Sequence, residues 1–324
     1  GEIIMNVLIT GGAGSGGSYL AEYIVNNHPD CKVWVPVRWH STSVLNNLKS
    51  IKDKINIREC DLNDLPSIIR LLQECKPEKI FNMAATANVA VAFKTPLAVL
   101  QNNIFSTANL LEAVRIVCPD TCFQQCSTSE VIGNPKEFPI TEDHPLNPCN
   151  PYAVSKLTQE KLALCYFNNW GIKVIVTRAF AYINPKRHDL VASNFALQVA
   201  RIEAGKQDIL RHGNLQSIRT FMDVREMAEA YWIASEKCVP GIPYNIGGTN
   251  PIMVGILFQI LKYKAKVPII HEQIRDLMRP SDITNQVPDV TRFYNQTGFK
   301  SKITLDESMN WLLNHMREVV KNEL

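Results

Sequence analysis

Over the first half of the chain, short apolar runs bounded by turn residues alternate with longer stretches of helical periodicity. Met5–Thr10 (MNVLIT) is a short buried-type run that passes into Gly11-Gly12-Ala13-Gly14-Ser15-Gly16-Gly17 and then a helix-like stretch at 18–26. Comparable runs follow at 32–37 (KVWVPV), 55–59, 79–84 (KIFNMA), 122–127 and 174–178 (VIVTR). Pro36 lacks a ladder donor and fits only near the end of its strand. Helical patterns over Leu65–Cys75, Pro96–Val117 and 151–169 separate the later runs. Runs apolar on both faces and joined by helices predict a parallel sheet covered on each side, the doubly wound α/β arrangement of the Rossmann type.

After Phe180 the alternation breaks. Residues 193–205 are helical, 219–237 supply a strand end and a helix, and Pro243–Ile246 (PYNI) looks like one more strand of the main sheet. A loop around Arg279-Pro280 and an amphipathic helix from Leu305 complete a smaller C-terminal α/β lobe. The two parts interleave: 1–181 with about 220–247 form the dinucleotide-binding domain, and about 182–219 with 248–324 the substrate lobe.

A length of 324 residues with 46% hydrophobic content supports this much core. A net charge of +3, without a Lys/Arg run, points to no nucleic-acid partner. No apolar stretch has membrane-spanning length, and the first apolar run lacks a signal-peptide layout. The nine cysteines are odd in number and scattered; Cys118, Cys122 and Cys126 have no His at ligand spacing and are expected to be buried thiols, with no metal. A reducing, cytoplasmic setting follows.

Glycines 11, 14 and 17 after a strand and before a helix suit a pyrophosphate: a tight turn, close backbone approach, and close helix–sheet packing at a helix N-terminus. The acidic residue that would hold the ribose hydroxyls of NAD about 20 positions on is absent. Val37 and Arg38 stand there, and a guanidinium suits a 2′-phosphate, so NADP is expected, with NAD possible. Asp61, at the end of the third strand, can reach the adenine edge or cap a helix.

Asn150-Pro151 reads as a helix start, a capping side chain followed by proline at the first position. Tyr152 and Lys156, i and i+4, then share a face near that start. A phenol titrates near pH ~10 in water, and an adjacent cation favours phenolate. Ser127-Thr128-Ser129-Glu130 closes the fifth strand at the same edge, offering Thr128 to a substrate oxygen and Glu130 as a second proton-transfer group.

These segments, with Asn82-Met83-Ala84-Ala85, Gly213-Asn214-Leu215, Arg219 and Arg279-Pro280-Ser281, resemble the extended short-chain dehydrogenase/reductase superfamily, and within it the GDP-mannose 4,6-dehydratase group. The resemblance implies a GDP-linked sugar substrate. Tyr152 would take the 4-hydroxyl proton while NADP+ accepts the C4 hydride, Glu130 would remove the C5 proton, the 6-hydroxyl would leave as water, and the hydride would return to C6. Lys156 would lower the tyrosine pKa and hold the nicotinamide ribose. Cofactor contacts are expected at Gly11, Gly14, Ser15, Gly16, Gly17, Arg38, Asp61, Leu62, Ala84, Ala85, Tyr152 and Lys156. Substrate contacts are expected at Thr128, Ser129, Arg187, Asn194, Arg219 and Arg279, the last two as diphosphate clamps.

The chain departs from the group at Ala181-Tyr182, which replaces Asn-His, in the loop 185–189, and at Asn194, where an arginine is expected. A GDP-4-keto-6-deoxymannose reductase shares the Ser-Glu and Tyr-Lys elements and is the nearest alternative, followed by an epimerase or a decarboxylase of nucleotide sugars; a non-catalytic NADP sensor would have lost the Tyr-Lys pair. The resemblance also implies a homodimer or homotetramer paired through 96–117 and 151–169.

Overall fold

Each apolar run forms a strand because both of its faces find a partner. The structure, a computed structural model, describes residues 4–39, 42–277 and 283–323. The first half runs β1 (Met5–Thr10), α1 (Gly17–Asn27), β2 (Cys31–Val37), β3 (Asn56–Glu59), α2 (Leu65–Cys75), β4 (Lys79–Asn82), a short α3 (Val89–Lys94), α4 (Pro96–Val117), β5 (Cys122–Thr128), α5 (Pro151–Trp170) and β6 (Lys173–Ala179). The second half runs β7 (Tyr182–Ile183), α6 (Val191–Glu203), β8 (Ile209–His212), β9 (Ile218–Thr220), β10 (Met222–Asp223), α7 (Val224–Lys237) and β11 (Pro243–Ile246). It ends with β12 (Pro251–Met253), α8 (Val254–Lys264), β13 (Ile270–Gln273), β14 (Asn285–Gln286), α9 (Thr291–Thr297) and α10 (Leu305–Lys321).

Seven strands form one sheet in the order β11-β6-β5-β4-β1-β2-β3, and every pairing in it is parallel. Side chains alternate across it. Val7 and Ile9 pack with Tyr19, Leu20 and Ile24 of α1 and Met227 of α7. Leu8 faces the other layer, with Ile68 and Leu72 of α2, Leu110 and Val114 of α4, and Ala163 of α5. This is the doubly wound Rossmann-type architecture, and its order reverses between β1 and β4.

A second core lies in the C-terminal half, where Phe195 of α6, Leu257 and Phe258 of α8, and Leu312 and Met316 of α10 meet. Three small sheets border it: β13-β8, β12-β9-β14 and β10-β7. Thr304 and Glu307 close a reciprocal capping box at the start of α10. No helix among the described residues is long and apolar enough to cross a membrane.

Several boundaries differ from the sequence expectation. The run at 79–84 is a strand only to Asn82; the Met83 N–H still donates to the Thr10 carbonyl (3.2 Å), but the Ala84 N–H leaves the ladder for the Thr10 hydroxyl (3.3 Å). The helix expected at 193–205 is α6 at Val191–Glu203, and α8 carries no forewarning in the sequence reading. All nine cysteines are free; Cys126 is buried, whereas Cys118 and Cys122 are only partly so.

The sheet also buries a charge pair. Arg178 on β6 and Glu160 on α5 are 3% and 0% exposed, joined at 2.7 Å (Nη2–Oε1) and 3.2 Å (Nε–Oε2). Ser127 donates to the same carboxylate (2.8 Å), and Arg178 donates to the Glu142 carbonyl (2.7 Å). Removing one partner of such a pair strands the other. Arg178→Met is therefore expected to lower the unfolding free energy by about 3–5 kcal/mol, while Arg178→Met with Glu160→Leu recovers much of that loss. Urea titration checks both; a single-variant loss below about 1 kcal/mol would mean the pair behaves as a solvated one.

Candidate active site

The loop after β1 is shaped by what its glycines exclude. Gly11 has φ +66°, and a Cβ there would fall 2.9 Å from the backbone of Ala84. At Gly17 a Cβ would lie 2.3 Å from the Gly11 carbonyl oxygen, so α1 packs on the turn only because that atom is missing. The Gly14 N–H donates to Gly11 O (2.8 Å), and the Ser18 N–H to Gly14 O (3.1 Å). Ser15 accepts from the Ser18 hydroxyl through its carbonyl at 3.5 Å. No side chain caps α1, and its first turn points into the space above the sheet edge, a geometry suited to an anion.

Arg38 follows the end of β2 and is exposed. Asp61 lies two residues beyond β3, in a turn rather than on the strand. Its carboxylate accepts from Asn63 N (2.9 Å) and Asn63 Nδ2 (3.3 Å), so it caps its own turn and not α2, whose capping residue is Asp64. The Leu62 carbonyl accepts from Asn109 Nδ2 (3.1 Å), fastening this turn to α4. Ala84 rests on Gly11, and Ala85 continues the same segment.

Asn150 caps α5, accepting from the Ala153 N–H (2.8 Å) with Pro151 at the first position. The same side chain donates to Glu130 Oε2 (3.0 Å), a contact invisible in the sequence, where Asn150 reads only as a cap. Thr128 accepts from the Glu130 N–H (3.3 Å) as β5 ends, with Ser129 buried next to it. Burial raises the Tyr152 phenol above its ordinary value; Arg187 opposes this, Tyr182 and Glu130 reinforce it, and a hydrogen bond with Thr128 lowers it. Thr128, Glu130, Tyr152 and Arg187 thus converge at one edge.

The expected lowering of the Tyr152 pKa by Lys156 is not what this geometry shows. The Lys156 ammonium is 3% exposed and donates to the Cys126 carbonyl at 2.5 Å. Burial pushes its pKa down to about 8. The cation that leads the opposition to burial at Tyr152 is Arg187, which the sequence reading assigned to substrate.

A buried chain of side chains connects the two halves of the site. Thr10 donates to Asn82 Oδ1 (2.7 Å), and the Asn82 amide donates to Gln125 Oε1 (2.8 Å) and Thr107 Oγ1 (3.0 Å). Gln159 also donates to Thr107 (2.7 Å) and to the Asn103 carbonyl (2.9 Å). Asn103 donates to Ser155 Oγ (2.9 Å), and Ser155 to the Tyr152 carbonyl (2.7 Å). Such a network in a dry interior holds one geometry, although Gln159 Oε1 is buried in it without a partner. Sequence reading gave none of these residues a role in the site; their one signal is the set of amides and hydroxyls on otherwise buried strands and helices.

The candidate substrate residues are dispersed. Arg187 is fastened by Asp189 (3.0 Å) and the Ala87 carbonyl (2.8 Å). Asn194 is exposed on α6 and accepts from Gln198 (2.8 Å). Arg219, on β9, donates to the Ile218 carbonyl (2.8 Å) and to that of Ile283. Arg279 lies outside the described residues.

The family model described as GDP-mannose 4,6 dehydratase matches residues 8–311. A GDP-6-deoxy-D-mannose reductase of Pseudomonas aeruginosa is 31% identical over 251 residues, 76% of this chain and 83% of that protein. A GDP-mannose 4,6-dehydratase of Yersinia enterocolitica is 31% identical over 242 residues, 72% of this chain and 65% of that one. Among solved structures, RMD from Pseudomonas aeruginosa complexed with NADPH superposes with a TM-score of 0.85 at 27% identity, covering 97% of this chain and 99% of that one.

The buried ammonium has a stability consequence. The Lys156 pKa falls from 10.5 in the unfolded chain to about 8 on folding. Below the lower value both states carry the charge and folding bears its desolvation; between the two the unfolded chain holds a proton the folded one has released, so stability rises with pH. Lys156→Met is expected to be more stable than the parent at pH 7 by roughly 1–3 kcal/mol, with the gap closing towards pH 10. Chemical denaturation of the ligand-free protein at both pH values checks this; a variant less stable at pH 7 refutes it.

Proposed function

The chain belongs to the GDP-mannose 4,6-dehydratase family of extended short-chain dehydrogenases/reductases, and on that premise we propose that it is an NADP-dependent dehydratase converting GDP-mannose to GDP-4-keto-6-deoxymannose. The observation that carries this reading is Glu130, held by Asn150 close enough to Tyr152 for its charge to act on the phenol. A reductase that shares this glutamate gives it no obligatory step, because one proton-transfer group suffices to reduce a ketone; elimination of water across C5 and C6 gives it one.

The site residues fit a dinucleotide. The turn Gly11–Gly17 presents bare backbone at an uncapped helix start, Arg38 is exposed after β2 within reach of solvent for a 2′-phosphate, and Ala84 and Ala85 line the opposite wall. A relative of similar length is seen with NADPH, which favours NADP, with NAD as the second choice. When bound, the nicotinamide supplies hydride acceptance from C4 and its return to C6.

Tyr152 acts on the proton of the 4-hydroxyl, with Thr128 hydrogen-bonding the same oxygen. The ketone at C4 acidifies C5, where Glu130 takes the proton and passes it to the 6-hydroxyl, which departs as water; on return of the hydride to C6 a proton is restored to C5, balancing the one Tyr152 took from the 4-hydroxyl. Lys156, fixed on the Cys126 carbonyl, holds the nicotinamide ribose and keeps a positive charge at the sheet edge. Ser129, Arg187, Asn194, Arg219 and Arg279 are the proposed contacts to the sugar and its diphosphate, in a lobe of about 182–219 plus 248–324 facing the cofactor domain. Planar guanidinium forks suit that diphosphate.

A reductase of the 4-keto-6-deoxy sugar is the second reading. The raised phenol of Tyr152 favours it, since the protein by itself keeps a proton there to give. Exposed Leu97 and Phe105 on α4, with Val154 on the adjoining α5, support a homodimer through these helices.

Incubation with GDP-mannose and catalytic NADP+ is expected to yield a 4-keto sugar without net change in reduced cofactor. No product from any nucleotide hexose would sink the dehydratase, and stoichiometric NADPH consumption with a 4-keto-6-deoxy sugar would establish the reductase. Glu130→Gln is expected to cut keto-sugar formation by about 100-fold or more while substrate affinity stays within about threefold. Phe105→Glu is expected to shift the mass seen by light scattering to that of one chain; an unchanged mass would place the interface elsewhere.

A further inference from the structure

Asn150 caps α5, yet its side chain is bonded on both sides, and the two bonds fix which way it faces. Oδ1 accepts from the Ala153 N–H (2.8 Å), while the Asn150 carbonyl accepts from the Val154 N–H (3.0 Å). A backbone N–H only donates, so the amide nitrogen stands on the opposite side, where it meets Glu130 Oε2 at 3.0 Å. Reversing the amide would set two donors against each other at Ala153 and leave an acceptor facing the carboxylate. The start of the helix therefore presents Glu130 with a donor.

The backbone holds the two residues at that distance. Glu130 lies in the short turn Ser129–Val131; its N–H donates to Thr128 Oγ1 (3.3 Å), and its carbonyl accepts from the Gly133 N–H (3.2 Å). Gly133 has φ +75°, and a Cβ on it would fall 1.9 Å from the Asn147 carbonyl oxygen and 2.9 Å from Cys149 Sγ. The turn after β5 thus rests directly on the segment leading into Asn150, an approach that only glycine permits. Asn150 is 9% exposed, so its bond to Glu130 is shielded from water. The other oxygen of that carboxylate, Oε1, accepts from none of the described residues.

We propose that Asn150 is a positioning residue for Glu130: its cap-locked amide engages Oε2 and leaves Oε1 as the oxygen that takes the C5 proton. Tyr152 stands two residues further along the same helix start, so one side chain fixes the spacing of both proton-transfer groups. Serine or aspartate at 150 would cap the helix about as well. The amide is required by Glu130 and not by the helix. This rests on the reading of Glu130 as the C5 base and adds the residue that orients it.

Melting temperatures and kinetics of variants at the two positions test it. Asn150→Asp keeps the cap but turns the donor into a second carboxylate. At neutral pH it is expected to melt about 3–6 °C below the parent and to form keto sugar with kcat about 30-fold lower or less, KM staying within about threefold. Adding Glu130→Gln to Asn150→Asp supplies the missing donor from the other side, and is expected to recover most of the melting temperature but none of the turnover. Asn150→Ser keeps the cap and brings no charge; its kcat is expected to fall about 5- to 20-fold, again with KM within about threefold. A melting temperature for Asn150→Asp at or above the parent's, or additive effects of Asn150→Asp and Glu130→Gln, would overturn the proposal. So would a kcat for Asn150→Ser within about twofold of the parent's. If the parent forms no keto sugar, the dehydratase reading fails, and the melting temperatures still decide whether Asn150 and Glu130 act as a pair.

Discussion

Burying a wholly parallel sheet on both faces is the constraint from which the rest of this molecule follows. Parallel strands need a crossover each time, and the crossovers cover both layers with helices. Every strand then delivers its C-terminal end to the same edge, so polar groups of β1, β4, β5 and β6 accumulate there without bulk water. Most of them are bonded, with Gln124 Oε1 of β5 a buried exception. Asn82 links β4 to Gln125 of β5, and Glu160 gathers Ser127 of β5 and Arg178 of β6. An unpaired member of such a set would cost about 1–3 kcal/mol, more if charged. The same bonds set the height and rotation of α5, the helix that carries Tyr152 and Lys156.

Burial and charge oppose each other at Lys156. A buried ammonium with one carbonyl partner is held against its desolvation by the surrounding fold, and its depressed pKa is the measure of that opposition. Tyr152 is also desolvated, so the protein alone favours the neutral phenol. Arg187 and Thr128 are the groups placed to ease its proton away. Arg187 is itself oriented by Asp189, which Asn88 also holds (3.0 Å), so the loop after β7 and the start of α3 together bring a cation to the Tyr152 phenol.

The C-terminal lobe is fastened to this edge by a few strong contacts. Lys186 reaches α1 through Glu22 (2.9 Å) and the Ser18 hydroxyl (3.1 Å), and sits 4.2 Å from the centre of the Tyr19 ring. Tyr19 in turn meets Trp311 of α10 edge to face. The segment after β6 therefore meets the start of α1 in two places: Lys186 donates to the Ser18 hydroxyl, and the Tyr182 hydroxyl lies over Gly16.

The strand–helix alternation, the sheet class, the glycine turn and the Tyr152–Lys156 spacing were legible in the sequence because each is a local pattern of period or spacing. So was the capping role of Asn150, which spans one helical turn. Strand ends were less so: whether the run at 79–84 continues past Asn82 depends on Thr10, 72 residues away. Asn150 holding Glu130, Arg187 acting on Tyr152, and Tyr182 covering Gly16 join residues whose spacing carries no signal. The partner of Lys156 was missed for a related reason, because an i,i+4 relation fixes a shared face but not what lies opposite it. By itself the sequence determined the strand–helix order of the first half and which residue types stand at its strand ends. Only the tertiary structure decided which charges meet and which are desolvated, because these depend on distances across the packed sheet.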